Sequence, residues 1–292
     1  MKNSTIYLNG SFLPASKANI NVFDRGLLYG DGLFETMRAY KGKVFALEEH
    51  LKRMAHGAKV LKIPFMNNTN KWQQIINKLL KLNNLRDKDS YIRITLTRGI
   101  DFHGLLPKNN IKPTIIVAAK PISAIVKKRQ RTGIRAITIN FSKASSQTSS
   151  IKSLNFIDNV IGIMMAKDME ADEAIFTSPS GEILEGTISN IFIVKNNHIK
   201  TPSIKSGILP GITRQFVINL AKKMGLKIGE SPIKKIDILN SDEAFITNSI
   251  MEITPLIMVD KKIIGNGMPG KITRNIHKAY KNLAEASVHI YN

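Results

Sequence analysis

The chain of 292 residues contains no cysteine, which excludes disulfides, thiolate metal sites and cysteine nucleophiles. Its six histidines are scattered along the sequence without the spacing of metal ligands, so we predict no metal site. Long apolar runs are lacking as well: none reaches the length of a membrane span, and residues 1–4 lead into a predicted strand rather than a signal sequence. We therefore expect a cytoplasmic protein that does not act at a membrane.

Acidic residues are scarce relative to basic ones, with 22 Asp and Glu against 43 Lys and Arg and a formal net charge of +21. Such a charge raises the alternative of nucleic-acid binding. However, the basic residues are spread along the chain, no binding motif accompanies them, and aromatic residues make up only 7%. The densest basic cluster, at residues 127–131, falls where we expect a linker. We predict no nucleic-acid partner, and we interpret the charge as a background that attracts carboxylates and phosphates.

The length and the hydrophobic content of 43% allow a large core and favour two domains. We predict a small N-terminal α/β domain at residues 1–121, an interdomain linker at 122–132 and a larger C-terminal domain at 133–292. Hydrophobic periodicity predicts strands and helices in both domains. The predicted strands are at residues 6–8, 33–39, 44–47, 91–97, 114–119, 134–139, 173–177, 191–194, 243–247 and 256–259. The predicted helices are at residues 48–61, 72–82, 156–169, 213–224 and 272–286.

Two finer expectations concern the C-terminal domain. We interpret the strands at residues 173–177 and 191–194 as a pair. The polar stretch at residues 145–150, a run of Ser, Gln and Thr, is predicted to be a loop at the mouth of a site because it directly precedes an apolar segment with a lysine.

Three separate segments carry the residue types that a pyridoxal 5′-phosphate (PLP) site needs. Lys152 stands between Ile151 and Leu154, an apolar setting in which an amine becomes a better nucleophile. Glu185 ends a short apolar strand and can provide the buried carboxylate that keeps a pyridine nitrogen protonated. Residues 210–213 open a helical pattern whose first N–H groups suit a phosphate. Each signal alone is weak, since a lysine is usually solvated and a glutamate often caps a helix, but their order favours a PLP site.

Further motifs surround these three segments. They are Tyr-Leu-Asn-Gly at residues 7–10, the run at 24–36, the helix segment at 49–54, and the segments at 185–192, 207–214, 247–255 and 264–267. With them the chain resembles, over nearly its whole length, the class IV aminotransferase family of PLP enzymes (fold type IV). This family comprises branched-chain aminotransferases, D-amino acid aminotransferases and 4-amino-4-deoxychorismate lyases. The resemblance implies a two-domain α+β (α/β) fold whose C-terminal domain has a β-barrel-like core, with PLP as cofactor and at least a homodimer as assembly.

The resemblance also implies roles for single residues. Lys152 is the implied catalytic residue, which forms the Schiff base with PLP and then transfers the Cα proton. Glu185 is implied to pair with the pyridine nitrogen, and Leu209 to pack against the ring. The residues implied to bind the cofactor phosphate through a guanidinium, backbone N–H groups or hydroxyls are Arg53, Ile212, Thr213 and Ser249. Without the family, Arg53 would be interpreted as a surface residue on the polar face of its helix.

The positions around the expected substrate distinguish three reactions. The segment with Tyr91 and Arg93 resembles the corresponding segment of the branched-chain enzymes. An arginine and a tyrosine can together bind a substrate carboxylate by hydrogen bonds. The residues that we expect to contact the substrate are Thr36, Arg38, Tyr91, Arg93 and Ile250. Thr36 and the Thr-Asn-Ser run at residues 247–249 instead resemble the lyases, which use this threonine as a proton relay during pyruvate elimination. The D-amino acid enzymes have an Arg-x-His motif where this chain has His-Gly-Leu at residues 103–105.

We predict an aminotransferase that moves an amino group between a branched-chain or related hydrophobic amino acid and a 2-oxo acid such as 2-oxoglutarate. The alternative is a 4-amino-4-deoxychorismate lyase that releases pyruvate and 4-aminobenzoate. A further alternative is a D-amino acid aminotransferase. The expected partners are these small molecules and a second copy of the chain.

Overall fold

The computed structural model describes residues 4–140 and 150–286. Residues 145–149 of the predicted polar loop lie outside this part of the chain. The described residues form two compact units: residues 4–122, 151–155 and 286 in the first, and residues 123–140, 150 and 156–285 in the second. The predicted linker at residues 122–132 is mostly helical and groups with the second unit from Ser123 onward, whereas Lys152 groups with the first.

The first unit consists of an antiparallel sheet and three helices. Its elements are β1 (Thr5–Leu8), β2 (Ser11–Pro14), α1 (Arg25–Tyr29), β3 (Gly32–Tyr40), β4 (Lys43–Val44), α2 (Leu47–Leu61), α3 (Thr69–Leu82), β5 (Ser90–Thr97) and β6 (Thr114–Pro121). The six strands lie in the order β2-β1-β6-β5-β3-β4, and every neighbouring pair is antiparallel. The predicted strand at residues 44–47 is wrong beyond Val44, because Ala46 takes a left-handed conformation with φ of 55° and α2 begins at Leu47.

Alternation along β3 and β5 gives the sheet two different faces. Met37, Ile92 and Ile94 are fully buried and belong to the core that includes apolar side chains of α2 and α3. Tyr91 and Arg93, which alternate with these residues on β5, are only half-buried. One face of the sheet therefore builds the core, and the other displays polar side chains.

The segment Ile151–Asn155 is fixed to the start of β3 by backbone hydrogen bonds. Phe34 N donates to Lys152 O at 3.0 Å, and Leu154 N donates to Gly32 O at 3.0 Å. A Cβ on Gly32 would lie 2.7 Å from Leu154 Cδ1 and 2.5 Å from the carbonyl oxygen of Leu96 on β5, so glycine is needed between the segment and β5. The backbone of Lys152 is therefore held by the strand that carries part of the polar face.

The second unit is built on a mixed sheet of nine strands. Its elements are α4 (Ala124–Thr132), β7 (Ile134–Asn140), α5 (Ile157–Asp168), β8 (Glu173–Thr177), β9 (Ile183–Gly186), β10 (Asn190–Lys195), β11 (His198–Thr201), α6 (Ile212–Lys223), β12 (Lys227–Glu230), α7 (Lys235–Leu239), β13 (Glu243–Asn248), β14 (Glu252–Val259), β15 (Lys262–Ile263) and α8 (Lys271–Ala286). The strand order is β12-β11-β10-β13-β14-β7-β8-β9, with β15 paired to β14.

The sheet of the second unit curls. β9 lies at one edge of the sheet, but the next strand along the chain, β10, lies near the opposite edge, between β11 and β13. At the turn between β9 and β10, Gly186 N donates to Ser189 O at 2.7 Å. The curl agrees with the expected barrel-like core. The predicted pairing of residues 173–177 with 191–194 is wrong: β8 pairs with β7 and β9, while β10 pairs with β11 and β13.

Two features are absent from the described part of the chain. No helix in residues 4–140 or 150–286 is long and apolar enough to cross a membrane. Within the same residues, no group of three or more His, Asp or Glu side chains is arranged to hold a metal ion.

Candidate active site

Four of the predicted substrate residues share the polar face of the first unit. Thr36 lies directly opposite Arg93, and Arg38 lies directly opposite Tyr91, in the antiparallel pairing of β3 with β5. Residues directly opposite each other point to the same face, and positions two apart on one strand do so as well. The fold therefore brings together residues that are far apart in the sequence.

Phe34 lies on the same face and connects it to Lys152. The guanidinium carbon of Arg93 lies 3.8 Å from the centre of the Phe34 ring, and Lys152 Nζ lies 4.4 Å from it. Arg93 Nε also donates to Thr95 Oγ1 at 3.2 Å, which fixes the direction of its side chain. An amine and a guanidinium thus contact the same aromatic ring, and these are the two groups needed to attack an aldehyde and to bind a carboxylate.

Arg38 occupies a different environment on this face. Its Nη2 donates to Asp89 Oδ2 at 2.8 Å, and its guanidinium stacks on Tyr40 at 4.8 Å. The side chain of Arg38 is only 3% exposed. Because Asp89 compensates its charge, Arg38 is less suited than Arg93 to bind an anionic substrate directly, and its predicted contact with the substrate stays a prediction.

Arg53, on α2, is not a surface residue. Its Nε and Nη2 each donate at 2.7 Å to the carboxylate of Glu35, which is 1% exposed, and His50 Nδ1 lies 2.7 Å from the same carboxylate. Burial alone raises the pKa of Glu35, but the charge and hydrogen bonds of Arg53, aided by His50, lower it to about 2. Burial, aided by the charges of Arg53 and Lys152, lowers the pKa of His50 against the opposing effect of Glu35. Glu35 is therefore ionised and His50 neutral at pH 7.

Glu185, on β9, is the buried carboxylate of the second unit, at 5% exposure. Its Oε2 accepts a hydrogen bond from Leu209 N at 3.1 Å and a longer one from Asn190 Nδ2 at 3.4 Å. Asn190 Nδ2 also donates to the carbonyl of Leu209 at 3.0 Å. The predicted residues Glu185 and Leu209 are therefore in direct contact, and Asn190 orients both.

The helix α6 begins shortly after Leu209, and its N-terminus has the groups that suit an anion. Its N-cap is Gly211, which offers no side chain to the first N–H groups of Ile212 and Thr213. A Cβ at position 211 would collide with Asn190 Oδ1, so only glycine allows this approach. Helix N-termini with N–H groups available bind phosphates well. This feature fits the phosphate of PLP.

The chain after β13 adds polar groups from the same unit. Asn248 Oδ1 accepts from the backbone N–H groups of Ile250 and Met251 at 2.9 and 2.7 Å, which shapes the turn that carries Ser249. Thr247, directly opposite Asn190 in the sheet, has a buried Oγ1 without a hydrogen-bond partner among the described residues. A buried hydroxyl without a partner is costly, so it fits a site completed by a polar ligand.

The sequence patterns did not single out several residues of these clusters. Phe34, Glu35 and His50 lie in segments used for the family resemblance. The contact of Glu35 with His50 depends on how α2 packs on β3, and the contact of Phe34 with Arg93 depends on the pairing of β3 with β5. Asn190 follows Glu185 by five positions, and its role depends on a turn between two strands. Alternation along residues 33–39 was the one available signal, since it separates Phe34 from Glu35 by face.

The lysine held beside β3, the buried carboxylate on β9 and the glycine-capped start of α6 are features expected of a PLP enzyme of fold type IV. Residues 32–257 match the model of the family described as amino-transferase class IV, so the chain belongs to this family. Class IV aminotransferases are PLP-dependent enzymes, and PLP is therefore the cofactor of this protein.

Relatives in the family carry three different activities. A protein of Methanocaldococcus jannaschii, whose provisional name is branched-chain-amino-acid aminotransferase, is 40% identical over 95% of this chain and 96% of its own length. The aminodeoxychorismate lyase of Bacillus subtilis is 32% identical over 97% of this chain and 96% of its own. The D-alanine aminotransferase of Bacillus licheniformis is 32% identical over 95% and 96%.

Among solved structures, the branched-chain amino acid aminotransferase of Escherichia coli superimposes with a TM-score of 0.91 at 29% identity, covering 97% of this chain and 95% of that one. The branched-chain aminotransferase of the archaeon Thermoproteus uzoniensis, solved with norvaline, superimposes with a TM-score of 0.87 at 27% identity, over 96% and 94%. These similarities establish the fold and the family. They leave the substrate to be decided by the residues of the site.

Proposed function

We propose that this protein transfers an amino group between a branched-chain or related hydrophobic amino acid and a 2-oxo acid such as 2-oxoglutarate. The observation that carries the proposal is the arrangement around Phe34. Arg93 and Lys152 both contact its ring, and Tyr91 lies on the same face of the sheet as Phe34. The Methanocaldococcus jannaschii relative and the Escherichia coli structure support it.

In this proposal each residue of the first unit has a chemical task. Arg93 and Tyr91 bind the substrate carboxylate by a charged and a neutral hydrogen bond, which orients the Cα–H bond. Lys152, whose amine contacts the ring of Phe34, is the general base that takes the Cα proton and later returns it. Arg53 binds phosphate, and the bidentate contact with Glu35 keeps its guanidinium in place.

The second unit contributes the groups that hold and tune the cofactor. Glu185 is proposed to face the pyridine nitrogen, and the N–H groups of Ile212 and Thr213, with the hydroxyls of Thr213 and Ser249, to hold the phosphate. Leu209 packs against the ring. When bound, PLP supplies an electron sink that stabilises negative charge at the substrate Cα.

A half-reaction panel tests the substrate class. The protein loaded with PLP is mixed with single L- and D-amino acids, and conversion of the cofactor to its amine form is followed by visible absorbance. We expect L-valine, L-leucine and L-isoleucine to react fastest. A preference for D-alanine would contradict the proposal and favour the D-amino acid aminotransferase, an activity that relatives at 30–32% identity carry.

A second candidate function is 4-amino-4-deoxychorismate lyase. The observation in its favour is the position of Thr36, whose side chain lies on the polar face directly opposite Arg93. A hydroxyl at this place can move a proton during elimination. The Bacillus subtilis lyase, at 32% identity, supports this alternative.

Thr36→Val separates the two reactions within one variant. Valine keeps the shape of threonine and removes only the hydroxyl. If the protein is an aminotransferase, amino transfer to 2-oxoglutarate persists, and aminodeoxychorismate is not consumed by either protein. Release of pyruvate by the wild type that is lost in Thr36→Val would establish the lyase instead.

We also propose that the protein is a homodimer. The first unit exposes apolar side chains close to one another, with the rings of Phe23 and Phe102 4.8 Å apart and with Leu105 and Leu106 at 81% and 85% exposure. Buried Arg25 donates to the carbonyls of Gly104 and Leu105, so this loop is held in a defined shape. An exposed apolar loop of fixed shape suits contact with a second copy. Sedimentation equilibrium that gave the mass of a single chain would refute this assembly.

A further inference from the structure

Glu173, on β8, is a buried carboxylate to which the reaction above gives no task. It is 2% exposed. It accepts hydrogen bonds from the N–H and hydroxyl groups of Thr187, from Ser189 Oγ at 2.9 Å and from Ala174 N at 3.1 Å. Three of these four donors belong to one turn, residues 187–189, hereafter the β9–β10 turn. Glu173 therefore acts as the anchor of that turn.

Contacts with α5 and with Gly186 also restrain the β9–β10 turn. Asn159, on α5, donates to the carbonyl of Thr187, so a side chain from outside the turn binds its backbone as well. A Cβ on Gly186 would collide with Ser189 Oγ and would lie 3.0 Å from Glu173 Oε2. The carboxylate therefore packs directly against the glycine that precedes the turn, and the turn has little freedom to shift.

The β9–β10 turn joins the two side chains that converge on Leu209. Glu185 stands immediately before Gly186, and Asn190 stands immediately after Ser189. Both side chains bond to Leu209, which precedes the phosphate-binding start of α6. A displacement of the turn would therefore move the carboxylate and the amide together.

We propose that Glu173 is a positioning residue for PLP binding: by holding the β9–β10 turn, it sets the place of Glu185 and of Asn190. The role of Glu185 toward the cofactor rests on the proposed function. Glu173 bonds to the residues of the turn itself, so its effect on the cofactor site passes through the turn.

A matched control exists in the same unit. Glu243, on β13, accepts hydrogen bonds from Ile272 N at 2.9 Å, Thr273 N at 2.8 Å and Thr273 Oγ1 at 2.7 Å. These donors are of the same kinds as those of Glu173, but they belong to the first turn of α8. Glu243→Ala therefore removes a similar set of bonds without touching the β9–β10 turn.

The test compares Glu173→Ala, Glu173→Gln and Glu243→Ala with the wild type. Two quantities are measured: the dissociation constant of PLP, by absorbance titration of the cofactor-free protein, and amide hydrogen exchange at residues 187–189 without cofactor. Glu173→Ala is expected to raise both by about tenfold, because buried donors lose their acceptor. Glu173→Gln keeps an oxygen for the turn donors and should stay within about threefold of the wild type. Glu243→Ala should leave both quantities unchanged.

A double-mutant cycle separates positioning from general stabilisation. In a Glu185→Gln background, Glu173→Ala should raise the PLP dissociation constant by a smaller factor than in the wild type, because the contact of the Glu185 charge is already lost and only the effect through Asn190 remains. Equal effects in both backgrounds would overturn the proposal. So would a Glu173→Ala protein that loses thermal stability as Glu243→Ala does but binds PLP as the wild type does.

Two further outcomes are also decisive. If Glu173→Ala does not fold, Thr187→Val replaces it, since valine removes only the hydroxyl that Glu173 accepts from. A weakening of PLP binding by about threefold or more supports the proposal, and none refutes it. If the wild type itself fails to bind PLP, the proposed function fails, and the exchange rates at residues 187–189 alone decide whether Glu173 holds the turn.

Discussion

Two buried glutamates, one in each unit, show how strongly the partners of a buried carboxylate decide its pKa. Glu35 is bound by the guanidinium of Arg53, and its pKa falls to about 2 despite burial. Glu173 is equally buried, but its partners are hydroxyls and backbone N–H groups, so burial prevails and raises its pKa. Several hydrogen bonds from neutral donors do not replace one nearby cation.

The same contrast extends to the surroundings of each glutamate. In the first unit, Asp31 is bound by Arg25 and Arg98, and these arginines lower its pKa against the effect of burial. In the second unit, Glu185 is held by a backbone N–H and an amide. Glu35 and Asp31 are thus held by ion pairs, whereas Glu173 is held by hydroxyl and backbone N–H groups.

The largest expected effect on activity comes from the amine of Lys152, in the first unit. Lys152→Ala should abolish turnover and the visible absorbance of bound PLP, because the amine that binds the aldehyde covalently is lost. Lys78→Ala is the matched control, since Lys78 Nζ also lies over an aromatic ring, 4.6 Å from the centre of Phe12. An unchanged visible spectrum in Lys152→Ala, before and after borohydride treatment, would contradict the assignment.

The next effect tests the ion pair itself. The shift of the Glu35 pKa from 4.5 to about 2 corresponds to about 3 kcal/mol of folding free energy at neutral pH. Glu35→Gln should therefore lower the free energy of unfolding by about this amount. Because the folded pKa is lowered, this contribution is complete above about pH 4.5 and is lost as the pH falls toward 2.

The control for Glu35 is Glu48, on the same helix as Arg53. Glu48 pairs with Lys52 at 2.7 Å, but both side chains are mostly exposed, at 61% and 67%. Such pairs contribute little to stability. Urea unfolding of Glu48→Gln should match the wild type. A Glu35→Gln protein equally stable at pH 7 would show that the charge of Arg53 does not stabilise the fold.

Local patterns predicted most elements of both units but not their long-range contacts. The helix start at Ile212 could be found because glycine and proline precede an amphipathic pattern, and the structure confirms it. The neighbours of β8 in the sheet could not be predicted from the sequence. β7, which pairs with it, is separated from it by a long connection, and hydrophobicity alone does not indicate which buried strands pair.

The same limit applies to single polar residues. Arg53 could not be distinguished from a solvated arginine, because its partner Glu35 lies on a strand that α2 covers only in the fold. Glu173 begins a buried strand, and no local pattern indicates that a turn 14 residues later provides its donors. Family resemblance indicated Arg53, whereas Glu173 had to be found from its contacts.

Replacing the carboxylate of Glu185 by an amide should lower the activity of the protein but not its stability. Glu185→Gln keeps an acceptor for Leu209 N, so PLP should remain bound. Proton abstraction from the substrate should slow by about a hundredfold, the usual size of a single well-placed electrostatic contact. Stopped-flow measurement of the half-reaction checks this. A rate near that of the wild type would show that Glu185 does not face the pyridine nitrogen.

The smallest effect is also the one most specific to the comparison. Because burial raises the pKa of Glu173, its carboxyl holds a proton more tightly in the folded chain than in the unfolded chain. Stability then falls as the pH rises above 4.5, the ordinary pKa of the group, with a slope that one proton limits to about 1.4 kcal/mol per pH unit. Glu173→Gln cannot titrate, so it should lack this decline and gain on the wild type as the pH rises.

The pH dependence of the two glutamates should therefore have opposite signs. The difference in unfolding free energy between the wild type and Glu35→Gln should grow as the pH rises from 2 to 4.5 and then stay constant. For Glu173→Gln the corresponding difference should begin to shift only above 4.5, and in favour of the variant. Parallel curves for the two variants would mean that the charge of Arg53 is not what distinguishes the two carboxylates, since both would then respond to burial in the same way.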